Sequence, residues 1–135
     1  MKIIKTFIII SLFSVSGLNA QIITPIENTE EQAQTQQFEQ LIIGNWNPEG
    51  ESSVLYSYSL NNLVVKINNQ IYKTYYWAIY SSTTQSGLVH SFLIIQNTQD
   101  ANDRRKYEID ALTNERLVLV GNNGIGLQRN LYFRQ

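Results

Sequence analysis

The pattern of apolar and polar positions changes at Gly44, where a polar segment gives way to short runs in which apolar and polar residues alternate. Alternation of this kind places successive side chains on opposite faces of a strand. Runs separated by turn residues about every ten positions are typical of an all-β barrel or sandwich. The sequence predicts eight strands, near Ile43–Asn47, Ser53–Leu60, Leu63–Asn68, Gln70–Ser81, Leu88–Asn97, Arg105–Ala111, Arg116–Gly121 and Ile125–Arg134.

The links between the predicted strands are short and rich in residues that tolerate a positive φ. They include Pro48-Glu49-Gly50, Asn61-Asn62, Asn68-Asn69, Thr113-Asn114 and Asn122-Asn123-Gly124. Links this short make neighbours in sequence antiparallel neighbours in space. Because a twisted eight-stranded meander avoids exposed edges only by closing, we predict a mostly β fold, an up-and-down antiparallel meander that forms a small barrel. Such a barrel has room for side chains or for one small ligand.

One short helix is predicted before the barrel, near Glu30–Ile42, in a segment from residue 21 to 40 that is rich in Glu and Gln. Thr29-Glu30-Glu31-Gln32 fits a capping box at its start. Phe38 and Leu41 share one face, and the opposite face is polar. We expect an end cap packed on the sheet, with an uncovered tail as the alternative.

The first 20 residues have the layout of a secretory signal peptide. Lys2 and Lys5 precede the apolar run Phe7–Phe13, and Ala20 supplies a small residue at the cut site. Because the run is shorter than the roughly 18 residues that a spanning helix needs, we expect cleavage after Ala20 and no membrane span in the mature chain. The sequence has no cysteine to carry the lipid of a bacterial lipoprotein. We therefore expect a periplasmic or secreted protein.

Charge and cysteine content limit the possible partners of the protein and the ways in which its fold can be stabilised. Removal of Lys2 and Lys5 with the signal changes the formal charge from 10 − 11 = −1 to 8 − 11 = −3, which does not favour a nucleic-acid partner. Without disulfides, the exported domain has to be stabilised by packing alone.

The sequence offers little catalytic chemistry. His90 is the only histidine and cysteine is absent, so neither a multi-histidine metal site nor a cysteine nucleophile can form. Asp100–Asp103 lacks the spacing of a calcium loop, and Arg104-Arg105-Lys106 is too short for a nucleic-acid patch. Glu108 and Asp110 could form a glycosidase-like carboxylate pair, but they share a strand face that we expect to meet solvent. We predict no enzyme activity, no metal and no cofactor.

Alternation also predicts which side chains point into the barrel. The inward sets are Val54, Tyr56, Tyr58 and Leu60 on the second strand, Leu63, Val65 and Ile67 on the third, and Tyr107 and Ile109 on the sixth. The strand near Gln70–Ser81 is ambiguous, because Tyr75 and Trp77 share a face with Lys73 while Tyr76 and Tyr80 share the other.

The chain contains 15 aromatic residues, from Phe 5, Trp 2 and Tyr 8, and tyrosine combines an apolar ring with a hydroxyl that can orient a ligand. The candidate ligand-binding residues are Tyr56, Tyr58, Val65, Tyr76, Phe92, Tyr107 and Arg129. A filled core is the alternative for the aromatic residues. Arg129 either meets a ligand carboxylate or is turned to solvent by a bulge, which is commoner for arginine.

Two short motifs resemble the lipocalins and the wider calycin group. Leu41-Ile42-Ile43-Gly44-Asn45-Trp46 looks like their Gly-x-Trp signature, and Tyr132-Phe133-Arg134 lies where these families often place an arginine that packs over the tryptophan. Tyr107–Leu119 is similar to the paired strands of small bacterial lipocalin-like domains.

The resemblance covers residues 41–135 and implies a lipocalin-like barrel with Gly44, Trp46 and Arg134 as its structural signature. Trp46 is then expected to plug the closed end, with Arg134 stacked on the indole in a cation–π contact worth about 0.5–1 kcal/mol. The implied function is binding of a small apolar ligand in the barrel. The alternative is an exported protein-interaction or envelope-associated scaffold whose barrel is filled.

Overall fold

The computed structural model describes residues 29–122 and 124–135. The predicted signal peptide, residues 21–28 and Asn123 of the last predicted turn lie outside the described residues. The elements are α1 Thr29–Ile42, β1 Gly44–Pro48, β2 Val54–Tyr58, β3 Asn62–Ile67, β4 Gln70–Thr83, β5 Val89–Asn97, β6 Arg104–Leu112, β7 Arg116–Asn122 and β8 Leu127–Arg134. No helix in these described ranges is long and apolar enough to cross a membrane.

The eight strands pair antiparallel in sequence order, and β8 returns to pair with β1, so the sheet is a closed barrel. Trp46 of β1 is the register partner of both Tyr56 on β2 and Arg134 on β8. The β3–β4 hairpin turns through Asn68 and Asn69, which have φ values of 51° and 69°. Positive φ at both central residues matches the right-handed twist of the flanking strands. The predicted barrel and its preceding helix are confirmed.

The core is formed by the inward faces of the strands together with the end of the helix. Ile42, Trp46, Leu63, Ile79 and Leu93 have no exposed surface. The ambiguous strand β4 is resolved: Tyr75 and Ile79 are buried and Trp77 packs on the core, whereas Tyr76 and Tyr80 are exposed on the outer wall.

Two residues predicted to point inward are exposed instead. Leu60 is 74% exposed and Ile67 is 37% exposed. Leu60 lies beyond Tyr58, the last residue of β2, and Ile67 is the last residue of β3. Alternation sets the direction of a side chain, but at the rim of a barrel there is no opposite wall to cover it.

The helix α1 closes one end of the barrel by packing against β4 and β5. Its polar face is hydrogen-bonded to serines of those strands: Gln34 Nε2 donates to Ser91 Oγ at 2.6 Å, and Thr35 Oγ1 donates to Ser81 Oγ at 2.7 Å. Ser81 and Ser91 are also bonded to each other at 2.7 Å, and Ser91 is buried. The predicted end cap is therefore confirmed, although polar bonds hold it as well as the apolar face.

Arg134 and Trp46 complete the helix-capped end. The Trp46 indole donates to the Ile42 carbonyl at 2.9 Å, and the Arg134 guanidinium lies 4.2 Å from the centre of the indole ring. Arg134 also donates to the carbonyls of Leu41, Ile43 and Asn114. These bonds tie a cation to the last turn of α1, where the helix dipole is negative. Arg134 thus stabilises this end of the barrel by hydrogen bonds as well as by the predicted cation–π contact.

Candidate functional site

The barrel interior contains a cavity of about 150 Å³. Because α1 covers the opposite end, the cavity is reached from the end that carries the β3–β4 and β5–β6 turns. Its apolar lining consists of Leu63, Val65, Leu93, Ile95 and Leu119. Six of the eight tyrosines line it as well, namely Tyr56, Tyr58, Tyr72, Tyr75, Tyr107 and Tyr132. The cavity therefore offers aromatic walls together with hydroxyl groups.

The tyrosine rings are fixed by contacts with one another and with the strands. Tyr56 and Tyr132 meet edge to face with their ring centres 5.1 Å apart. Tyr58 packs edge to face on Trp77 at 6.0 Å. At position 121, a Cβ would lie only 2.9 Å from the Tyr107 ring. Gly121 therefore leaves the space in which the Tyr107 ring lies against β7.

Two cations line the same cavity, Lys73 on β4 and Arg105 on β6. Both pair with Asp103: Arg105 Nε lies 3.2 Å from Oδ1 and Lys73 Nζ lies 3.5 Å from Oδ2. Asn97 Nδ2 also donates to Asp103 Oδ2 at 3.1 Å. The Asn97 bond and the cations Arg105 and Lys73 hold the pKa of Asp103 below its usual value. Two cations at the mouth thus share one carboxylate.

Burial controls the ionisation of the tyrosines. It is the largest cause that raises the pKa of Tyr56, Tyr58, Tyr75 and Tyr132. The ordinary pKa of tyrosine is already about 10, so these phenols are neutral at physiological pH and keep their hydroxyl hydrogens as donors, and burial moves their pKa further from that pH. The pKa of Arg105 is raised, first by its hydrogen bond with the Tyr107 side chain. The cavity thus combines neutral hydroxyls with permanent positive charge.

The structure brings together four of the seven predicted ligand-binding residues, Tyr56, Tyr58, Val65 and Tyr107, at the cavity. The other three lie on the outer wall. Tyr76 is exposed, and Phe92 stacks on Tyr80 at 5.1 Å beneath Lys106. Arg129 is paired with Asp110 at 3.1 Å, and its side chain is 68% exposed. The reason is strand alternation: Tyr76 and Phe92 point opposite to their buried neighbours Tyr75 and Leu93, and Arg129 points opposite to Tyr132, which lines the cavity.

Sequence analysis missed the two cavity cations, although a signal was present. Arg105 belongs to the basic run Arg104-Arg105-Lys106, yet it lies two residues from Tyr107 and therefore shares its inward face. Lys73 likewise shares a face with Tyr75. Alternation pointed inward for Arg105, where the general preference of charged residues for solvent concealed it, whereas the pattern on β4 left the face of Lys73 ambiguous.

The carboxylates considered for catalysis lie outside the cavity lining. His90 Nδ1 is 2.8 Å from Glu108 Oε2 on the outer wall, and Asp110 pairs with Arg129. Within residues 29–122 and 124–135, no three His, Cys, Asp or Glu side chains come together as a metal-binding group.

Comparisons of the chain with protein-family models, with curated proteins and with solved structures gave no match. The cavity itself is therefore the basis on which a function can be inferred.

Proposed function

We propose that this protein is exported and binds one small, mostly apolar ligand in the open half of its barrel. The observation that carries the proposal is the cavity of about 150 Å³. Protein interiors are close-packed, and voids larger than a water molecule are few. A dry apolar cavity of about this volume accommodates a benzene-sized molecule, whereas pockets for drug-sized ligands are about 300–1,000 Å³. The ligand is therefore about the size of a single ring.

The lipocalin-like classification is part of this proposal. It is supported by the closed eight-stranded meander and by the stacking of Arg134 on Trp46 next to Gly44. A cap at one end and a cavity at the other suit a carrier that takes its ligand through a single mouth. Export to the periplasm or beyond the cell is supported by the pattern of the first 20 residues.

Native mass spectrometry of protein isolated from its own host tests both export and ligand binding. We expect a mature chain beginning at Gln21 and an added mass from a bound small molecule. A Val65→Phe variant should fill the cavity and lose the added mass. The matched control is Val64→Phe, because Val64 is the next residue of β3 and is not part of the cavity lining. An intact Met1 would contradict export, and equal loads in the two variants would contradict binding in the cavity.

Exposed apolar side chains at the mouth support a second candidate, the protein-interaction scaffold. Ile71 is 67% exposed and Leu127 is 80% exposed, and both belong to strands that start or end at the mouth. Under this alternative, a protein partner cross-linked in the host is retained by Val65→Phe and lost in Leu127→Glu. The carrier function predicts that the bound small molecule is lost in Val65→Phe and retained in Leu127→Glu.

A further inference from the structure

The positive charge at the cavity narrows the class of ligand. We infer that the cavity takes a monocyclic aromatic carboxylate, with the carboxylate at Arg105 and Lys73 and the ring among the tyrosines; this inference rests on the proposed binding of a small ligand.

The first support is the charge balance of the lining. Lys73 and Arg105 are the charged side chains among the described residues that line the cavity, and no Asp or Glu is among them. Asp103 pairs with both cations but is not a lining residue. One positive charge is therefore left over at a site where a ligand would lie. An anion placed there would add a second negative partner for the two cations, whereas a neutral ligand adds none beyond Asp103.

The second support is the geometry of Arg105. Its guanidinium has five N–H donors, of which Nε is directed to Asp103 at 3.2 Å. Donors therefore remain on a side chain that already faces the cavity. A planar guanidinium matches a carboxylate through two parallel hydrogen bonds, and such charge-assisted bonds are about twice as strong as neutral ones.

The third support is the aromatic wall. Six tyrosines surround the space, and tyrosine is neutral at physiological pH, so their hydroxyls can donate hydrogen bonds to an anion. Aromatic rings pack favourably edge to face or offset on other rings. The volume of about 150 Å³ suits one ring with a small substituent. A long aliphatic chain does not fit this space.

Calorimetric titration with benzoate and benzyl alcohol tests the inference, because the two probes have similar shapes and differ in charge. We expect wild-type protein to bind benzoate about tenfold more tightly, which corresponds to about 1.4 kcal/mol. Added salt should weaken binding of benzoate and leave binding of benzyl alcohol unchanged. This comparison needs no variant, so it does not depend on how a substitution affects folding.

Two variants locate the charge. Arg105→Gln should reduce the preference for benzoate to about parity. Arg129→Gln removes the same charge from the outer wall, so it should keep the full preference.

The outcomes separate the inference from the proposed function. Equal affinity of wild-type protein for benzoate and benzyl alcohol would overturn the inference and leave cavity binding intact. A preference that survives Arg105→Gln would place the anion elsewhere and would also overturn it. Failure of both probes to bind would overturn the proposed function together with the inference.

Discussion

Trp46 lies at the junction of α1, β1 and β8, and its truncation to alanine is the most direct test of how the closed end is built. The indole has no exposed surface, donates to the Ile42 carbonyl at 2.9 Å and carries the Arg134 guanidinium on its face at 4.2 Å. Alanine at this position would open a void in the core, remove the donor to the Ile42 carbonyl and remove the ring on which Arg134 stacks.

The expected cost follows from these contacts. Truncation of a buried tryptophan costs about 3–5 kcal/mol, and the loss of the hydrogen bond to a buried carbonyl adds about 1 kcal/mol. A domain of this size has a total stability of about 5–15 kcal/mol. Because about 1 kcal/mol shifts Tm by about 4–8 °C in a small domain, we expect Trp46→Ala to lower Tm by more than about 10 °C. Thermal unfolding followed by circular dichroism measures this shift.

Trp77→Ala is the matched control, because it makes the same substitution at a residue that is only partly buried. Its indole donates to the Ser59 carbonyl at 2.8 Å near the surface, so its loss should cost clearly less than that of Trp46. If Trp46→Ala melts within a few degrees of wild type, or no lower than Trp77→Ala, the Gly-x-Trp cluster does not stabilise the barrel and its resemblance to the lipocalin signature is coincidental.

Three further predictions concern stability. Gly44 has a φ of 131°, and a Cβ there would overlap Arg134, so we expect Gly44→Ala to cost at least about 1–3 kcal/mol in urea denaturation; a neutral change would contradict it. Burial raises the pKa of Tyr58. Above a pH of about 10 the unfolded chain therefore ionises this tyrosine while the folded chain holds its proton, so the free energy of unfolding falls as pH rises. Tyr58→Phe should make that decline shallower by at most about 1.4 kcal/mol per pH unit, and an unchanged slope would count against it. Ser91→Ala removes the partner of Gln34 and should cost about 1 kcal/mol while speeding amide hydrogen exchange in α1; unaltered exchange would show that the helix is held by other contacts.

The barrel divides stability and the proposed function between its two ends. At the helix-capped end, the polar contacts run between groups of the protein itself, as in the bonds of Arg134 to backbone carbonyls. At the open end, Lys73 and Arg105 share one carboxylate and border a space large enough for a small molecule. Truncation of a core residue at the closed end, such as Trp46→Ala, should therefore lower the stability of the fold. A substitution at the open end, such as Arg105→Gln, should mainly change the affinity for the ligand.

The cavity residues were only partly predictable from sequence. Tyr56, Tyr58 and Tyr107 were predicted because alternation along a strand is a local pattern, and the neighbours of Tyr58 and Tyr107 are polar. The inward position of Arg105 follows from alternation with Tyr107, but its charge favours solvent, and only the folded β5–β6 region brings Lys73 next to the same carboxylate, Asp103. Tyr76 was assigned to the cavity because the pattern on β4 fits either face.

The sequence by itself determined the number and order of the strands, their antiparallel pairing and the helix before them, because alternation, turn residues and short links act between near neighbours. Only the tertiary structure decided which face of β4 points inward, that a cavity remains between the walls, and that Arg134 reaches the carbonyls of α1 and of the β6–β7 turn as well as the indole. These features depend on how far the strands shift against one another when β8 closes onto β1, and on how side chains from opposite walls fill the space between them. Neither is fixed by any single segment of the chain.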